Sequence, residues 1–166
     1  MPFHEINYNS ILQLPLSSNN TTESIQRNHS QMSNMNMDHI QMMKRGDIDM
    51  GFNQIKILHQ FVITPNGGII IITALDNKDN QTITQIKDHI KDIQKLFSEG
   101  NFTIPFFVHA QIVPGTDVLK KKKELINYSI LDMKNGSSLI LSTNNKEVVD
   151  AINQFMKFQA TEHKGH

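Results

Sequence analysis

Four histidines are the residues of this chain whose type and spacing best suit chemistry. His59, His89, His109 and His163 each fall in line with the apolar positions of their own segment. A neutral imidazole is the commonest metal ligand in proteins, and it also acts as a general acid or base near neutral pH. Buried imidazoles from separate segments are therefore either individually hydrogen-bonded core residues or parts of one site.

A shared site competes with an ordinary core as the explanation of these histidines. Any single one is more commonly a core residue that donates one N–H to a carbonyl. Several are harder to explain in this way, because each buried polar group without a partner costs about 2 kcal/mol or more. Nitrogen ligands suit copper, zinc, iron or nickel, and an axial histidine also suits haem iron. We expect His59, His109 and His163 to be ligands, with His89 next and Met50 as a soft ligand.

A second group of candidate ligands lies in the first 50 residues, which are rich in Asn, Ser, Gln and Met and lack a sustained hydrophobic period. We expect residues 1–50 to form a disordered or extended tail and residues 51–166 to form a single α+β domain. Thioether sulfurs favour Cu(I), so copper is the first metal expected. The candidates in the tail are His29, Met32, Met35, Met37, His39, Met42 and Met43.

The composition argues against several other classes of function. The 16 basic and 16 acidic side chains cancel, so no nucleic acid partner is expected. The absence of cysteine excludes disulfides, thiolate metal sites and cysteine nucleophiles. Nothing approaches the ~20 apolar residues of a membrane span, the N-terminus lacks the pattern of a clear signal peptide, and there is no phosphate-binding glycine loop.

The elements that would position the histidines form two similar halves. Alternating residues from Ile55 to Ile63 predict a strand with His59 facing inward. A turn over residues 65–68, a returning strand over 69–74 and a helix over 83–97 follow. The second half repeats this order with strands over 128–133 and 138–142 and a helix over about 146–162, capped by Asn144 or Asn145.

The segment between the halves is harder to assign. The apolar run over residues 102–115 contains His109 and is interrupted by Pro105, which predicts an edge strand or a buried loop. A short helix over roughly 117–125 follows. The predicted fold is therefore α+β, with duplicated ββα units in a mainly antiparallel sheet and the helices on one face, as in a ferredoxin-like sandwich. The other face would be free for a small molecule or for a second subunit in a homodimer.

Four segments carry a resemblance to a known family: RGDIDMGFNQIKILHQF, the NGG turn, FSEGNFTIPFFVHAQIVPG and AINQFMKFQATEH. They resemble an uncharacterised family of small bacterial and archaeal proteins that are often labelled aspartate carbamoyltransferase. The resemblance covers about residues 45–164 and implies an extracytoplasmic, metal-handling setting, because many similar proteins look secreted and have Met/His-rich N-termini. The matching positions are Arg45, Gly46, Asp47, Met50, Gly51, Phe52, His59, His109, Pro114, Gly115 and His163.

Two departures from the family pattern concern the proposed ligands. Gln60 stands where the family has a second histidine of a pair, and Asn153 stands where its last helix often has another. A site that needs either histidine would be weakened here. The transferase label finds no support, because such an enzyme needs two larger domains and a Ser-Thr-Arg-Thr phosphate loop.

Three hypotheses of function follow from these residues. The leading one is a small protein whose buried histidines bind a transition metal, copper first, with zinc, iron or haem as alternatives. The second is an enzyme in which a histidine acts as acid or base in a pocket on the sheet face. The third is a non-catalytic oligomerisation or interaction domain that uses the free sheet face.

Overall fold

The computed structural model describes residues 40–42, 44–45 and 53–163, apart from the side chains of residues 106 and 107. Contacts divide the chain into two units between Ile40 and Gln41. Everything described below belongs to the second unit, in which residues 41–42 and 44–45 are helical. The predicted tail of residues 1–50 lies mostly outside the described residues, so its extent stays a prediction.

Four antiparallel strands form the sheet: β1 (Ile57–Thr64), β2 (Gly67–Ala74), β3 (Asn127–Met133) and β4 (Gly136–Ser142). Their order is β1-β2-β4-β3, so the two predicted hairpins lie side by side through β2 and β4. The predicted α+β class is confirmed. The ferredoxin-like comparison is not confirmed, because each hairpin here precedes its helix, whereas a ferredoxin-like chain runs βαββαβ.

Four helices accompany the sheet: α1 (Asn80–Ser98), α2 (Thr103–His109), α3 (Thr116–Lys121) and α4 (Lys146–Glu162). Asp79 caps α1 by accepting a hydrogen bond of 3.0 Å from the Thr82 backbone N–H. Asn145, one of the two predicted caps, accepts a bond of 3.2 Å from the Val148 N–H at the start of α4. Within the described part of the chain, no helix combines the length and apolar character needed to cross a membrane.

The core lies between one face of the sheet and the helices. The sheet supplies to it residues that alternate along each strand, which is the period that places side chains on one face. Burial of each such aliphatic or aromatic side chain contributes about 1.5–3 kcal/mol. The buried sheet residues of the core are Ile57, Phe61, Ile70, Ile72, Ala74, Leu139 and Leu141, and residues such as Ile86, Ile90, Ile152 and Phe155 face them from α1 and α4.

Two local predictions are wrong. The run over residues 102–115 contains the helix α2 and not a strand, because Pro105 lies in the first turn, where a helix loses no hydrogen bond to proline. Asn101 Oδ1 accepts a hydrogen bond of 3.0 Å from the Thr103 N–H at the start of this helix. Ile55 does not face the core: it lies in a 3-10 turn before β1 and is 67% exposed.

The close approach of β4 to β2 at Gly136 yields a stability prediction. A Cβ on Gly136 would overlap with the Ile72 carbonyl oxygen and lie 2.8 Å from Thr73 Cα, and both atoms belong to the backbone. We expect Gly136→Ala to lower the free energy of unfolding by about 2–4 kcal/mol in urea denaturation. In the comparison variant Gly68→Ala, the new Cβ meets Cγ and Cε of Met156 at 2.8 and 2.9 Å and the Val62 carbonyl oxygen at 3.1 Å. A smaller loss is expected there, because the two nearest atoms belong to a side chain that can rotate. Equal losses would contradict this explanation.

Candidate functional site

All four histidines singled out from the sequence are buried, with 5–9% of each residue exposed. His59 comes from β1, His89 from α1 and His109 from the end of α2, while His163 directly follows α4. The predicted burial is therefore confirmed. The structure also brings the four residues together, because all of them line one cavity of about 40 Å³.

The walls of this cavity combine apolar side chains with the four imidazoles and one amide. Among the described residues that line it, Gln159 is the one polar side chain besides the imidazoles, and there is no Asp, Glu, Lys or Arg. The volume exceeds the ~10–15 Å³ that one water requires and is far below the ~300 Å³ of a typical ligand pocket. The apolar lining residues are Phe61, Ile70, Ile93, Phe97, Ile104, Pro105, Val108 and Phe155.

Three of the imidazoles are in contact, and His163 is the central one. Its ring centroid lies 5.1 Å from that of His59 and 5.2 Å from that of His109. Phe61 packs beside this group, with centroid distances of 5.2 Å to His59 and 5.5 Å to His163. The ring centroid of Phe158 lies 5.0 Å from that of His109. Aromatic packing therefore restricts where the centres of the three rings lie.

A hydrogen bond to Gln159 determines which nitrogen of His109 carries the proton. The distance between His109 Nε2 and Gln159 Oε1 is 2.8 Å. An amide oxygen can accept but not donate, so Nε2 carries the hydrogen and Nδ1 carries the lone pair. The Nδ1 atom is buried and has no hydrogen-bond partner among the described residues. Metal-binding histidines commonly show this arrangement, in which the second ring nitrogen donates to a carbonyl and orients the ring.

Burial lowers the pKa of at least two of the imidazoles and so favours their neutral form. It lowers the pKa of His109, against the opposing effects of the Gln159 hydrogen bond and the nearby Glu162 carboxylate; Arg45 lowers it further. Arg45 is close because its Nε donates a bond of 3.0 Å to the carbonyl of Val108. Burial also lowers the pKa of His89 to about 4. The neutral form is the one that binds a metal without first releasing a proton.

His89 lines a second, larger space as well. A groove of about 500 Å³ runs along the outer side of α1, and its lining includes Asp88, Asp92, Lys95 and Glu99 together with His89. Asp88 and Asp92 on α1 and Glu99 directly after it are exposed. His89 therefore lies between an acidic surface groove and the histidine cavity.

Of the remaining predicted ligands, Met42 is the one that belongs to the described residues. Met42 is buried, with 4% exposed, but it does not line the cavity. No group of three or more His, Asp or Glu side chains within the described ranges is arranged so that it could hold a metal ion. The candidates that lie outside the described residues are His29, Met32, Met35, Met37, His39, Met43 and Met50.

Two residues of the site were not predicted from the sequence. Gln159 falls on the inner row of the predicted last helix, and a polar residue in that row was the available signal. Arg45 belongs to a segment without a helical or strand pattern, so nothing in the sequence connected it with His109. Both residues act on His109, one through a hydrogen bond and one through its charge.

Comparisons with known proteins gave no match for this chain, whether with family models, curated proteins or solved structures.

The Gln159 hydrogen bond predicts how the pKa of His109 responds to substitution. We expect Gln159→Glu to raise this pKa, because a carboxylate would accept the same bond and stabilise the protonated ring. Gln159→Leu should instead lower the free energy of unfolding by about 1–3 kcal/mol, since a buried N–H loses its acceptor. NMR titration of the His109 ring and urea denaturation measure these effects. Gln81→Glu on the exposed side of α1 is the control, and an equal pKa change there would contradict the assignment.

The lowered pKa of His89 predicts a loss of stability in acid. Its pKa is about 4 in the folded protein against an ordinary 6.5, so between these values the unfolded chain binds a proton that the folded chain does not. The free energy of unfolding should therefore fall as the pH drops from 6.5 to 4, by about 3 kcal/mol from this group. Denaturation curves of His89→Gln should lack this part of the pH dependence. If the free energy of unfolding falls equally with pH in the variant and in the unsubstituted protein, the prediction is refuted.

Proposed function

We propose that this protein binds one transition-metal ion in the histidine cavity, with His59, His109 and His163 as ligands. The observation that supports the proposal most directly is the buried Nδ1 of His109, whose lone pair is fixed by the bond between Nε2 and Gln159. A buried basic nitrogen without a partner is unfavourable in a finished core, and coordination of an ion would satisfy it.

The spacing of the rings supports the same proposal. Three imidazoles that coordinate a tetrahedral ion with metal–nitrogen distances of ~2.0–2.1 Å have ring centroids roughly 5 Å apart. Two of the three ring pairs have this spacing, because the centroid of His163 lies 5.1 Å from that of His59 and 5.2 Å from that of His109. The described side chains do not form a ready metal-binding group. The proposal therefore requires the rings of His59 and His163 to turn about their Cβ–Cγ bonds, which redirects their nitrogens and moves the centroids little, while the Gln159 bond keeps the ring of His109 as it is.

The size and polarity of the cavity favour a bare ion over a larger group. A volume of about 40 Å³ accommodates an ion or a few waters. Haem, or a substrate for a catalytic histidine, would need a pocket nearer to ~300 Å³ or more. Nitrogen ligands bind copper more tightly than the other divalent first-row metals, so copper remains the first candidate and zinc the second. His89 lines the same cavity and is the natural fourth ligand.

The proposal is tested by loading the full chain, purified without a histidine tag, with copper or zinc and removing the free metal. We expect elemental analysis to find one tightly held ion per chain. We also expect the ion to stabilise the folded protein, by about 2.7 kcal/mol at a free concentration one hundred times the dissociation constant. Thermal unfolding with and without the metal measures this stabilisation.

Matched variants distinguish the cavity from the N-terminal candidates. His109→Ala and His163→Ala should each abolish the thermal stabilisation, because each removes a ligand from the fold. The double variant His29→Ala, His39→Ala removes the same kind of side chain from the N-terminal segment and should keep the stabilisation. An unsubstituted protein that retains neither metal, or a stabilisation lost only in the double variant, would refute the proposal.

A further inference from the structure

Among the described residues, the face of the sheet turned away from the helices, here called the outer face, carries no charged residue. This is unusual in a chain in which 19% of all residues are Asp, Glu, Lys or Arg. By the alternation along each strand, the side chains of the outer face are Leu58, Gln60, Val62 and Thr64 from β1, Ile69, Ile71 and Thr73 from β2, Asn127, Ser129, Leu131 and Met133 from β3, and Ser138, Ile140 and Ser142 from β4.

The centre of the outer face is apolar. The strand register places Val62 beside Ile69 and Ile69 beside Ile140, so three β-branched side chains form a row across three strands. Ile71 lies in the next row, and in that row Leu131 is 56% exposed. None of these residues belongs to the core cluster between the sheet and the helices. Soluble monomers rarely leave a continuous apolar surface of several hundred Å² open to water.

The area of this face matches the lower limit of a specific protein interface. Four strands spaced ~4.8 Å apart, each with seven or eight residues rising ~3.3 Å per residue, cover about 500 Å². Two such faces would bury roughly 1,000 Å² together, near the smallest area of a stable specific contact. A partner of this kind must therefore cover the whole face and not one corner of it.

We propose that a second copy of this chain covers the outer face, so that two sheets pack face to face in a symmetric homodimer. In a two-fold dimer the same patch meets itself, and an uncharged patch does so without repulsion between like charges. Two sheets stack at ~10 Å with interdigitated side chains, which suits a row such as Val62, Ile69 and Ile140. An anionic surface or a charged peptide would find no opposite charge on this face. The dimer is independent of the proposed metal site, which lies on the other side of the sheet.

The proposal is tested by analytical ultracentrifugation of the full chain at about 100 μM, well above the micromolar dissociation constants of weak specific complexes. We expect a species of twice the 19.0 kDa chain mass. Ile71→Asp and Ile140→Asp should each shift it to a single chain with an unchanged circular dichroism spectrum. The control Ile112→Asp alters an isoleucine that is 78% exposed outside the sheet and should leave the dimer intact. A single chain in the unsubstituted protein would overturn the proposal.

A milder substitution keeps the proposal testable if the charged variants fail to fold. The chain has no cysteine, so Ile140→Cys and Ile112→Cys each introduce one reporter thiol. Alkylation of the thiol at position 140 should slow several-fold as the protein concentration rises, because the dimer covers it. The thiol at position 112 should react at one rate throughout. A dimer in which position 140 stays fully reactive would use another surface and would overturn the proposal.

Discussion

The hydrogen bond between Gln159 Oε1 and His109 Nε2 is the interaction on which the character of the cavity depends. Without it, the imidazoles would be ordinary medium-sized rings in an apolar core. Because the amide oxygen is only an acceptor, it assigns the His109 proton to Nε2 and leaves a basic nitrogen inside the fold. Gln159 reaches His109 because Gln159 lies on the inner side of α4 and α2 ends at His109.

The sequence predicts which side of each long strand or helix is buried, but it does not predict which residues of other elements that side contacts. Alternation in β1 is a local property, so the inward direction of His59 follows from its neighbours. Helical spacing places Gln159 on the inner side of α4 in the same way, and it brings His163, directly after the helix, into line with that side. The contact of Gln159 with His109, however, joins residues 50 positions apart. No pattern in either segment indicates the other, so the shared cavity of the four histidines emerges only from the tertiary fold.

The helix α2 was the element that local reasoning misjudged. An apolar run with proline in it is equally compatible with a strand edge, a loop and the first turn of a helix. The end of α2 also lacks the usual sign, because Ala110 and not glycine adopts the left-handed conformation directly after His109, with φ of 53°. This conformation costs a residue with a side chain about 1–2 kcal/mol, so the surrounding packing must impose it. The turn at Ala110 therefore could not be predicted from the local sequence.

The contact between His59 and His163 joins the first strand to the residue after the last helix, about 100 positions along the chain. Closing a loop of this length costs roughly 4 kcal/mol in chain entropy, and only contacts formed across many segments compensate it. Each hairpin, in contrast, closes a loop of two residues. The short loops favour early formation of the hairpins over the imidazole cluster, whose contacts span much longer stretches of chain. The folded protein offers an ion several imidazoles already held within one cavity, whereas the unfolded chain would have to close these long loops around the ion.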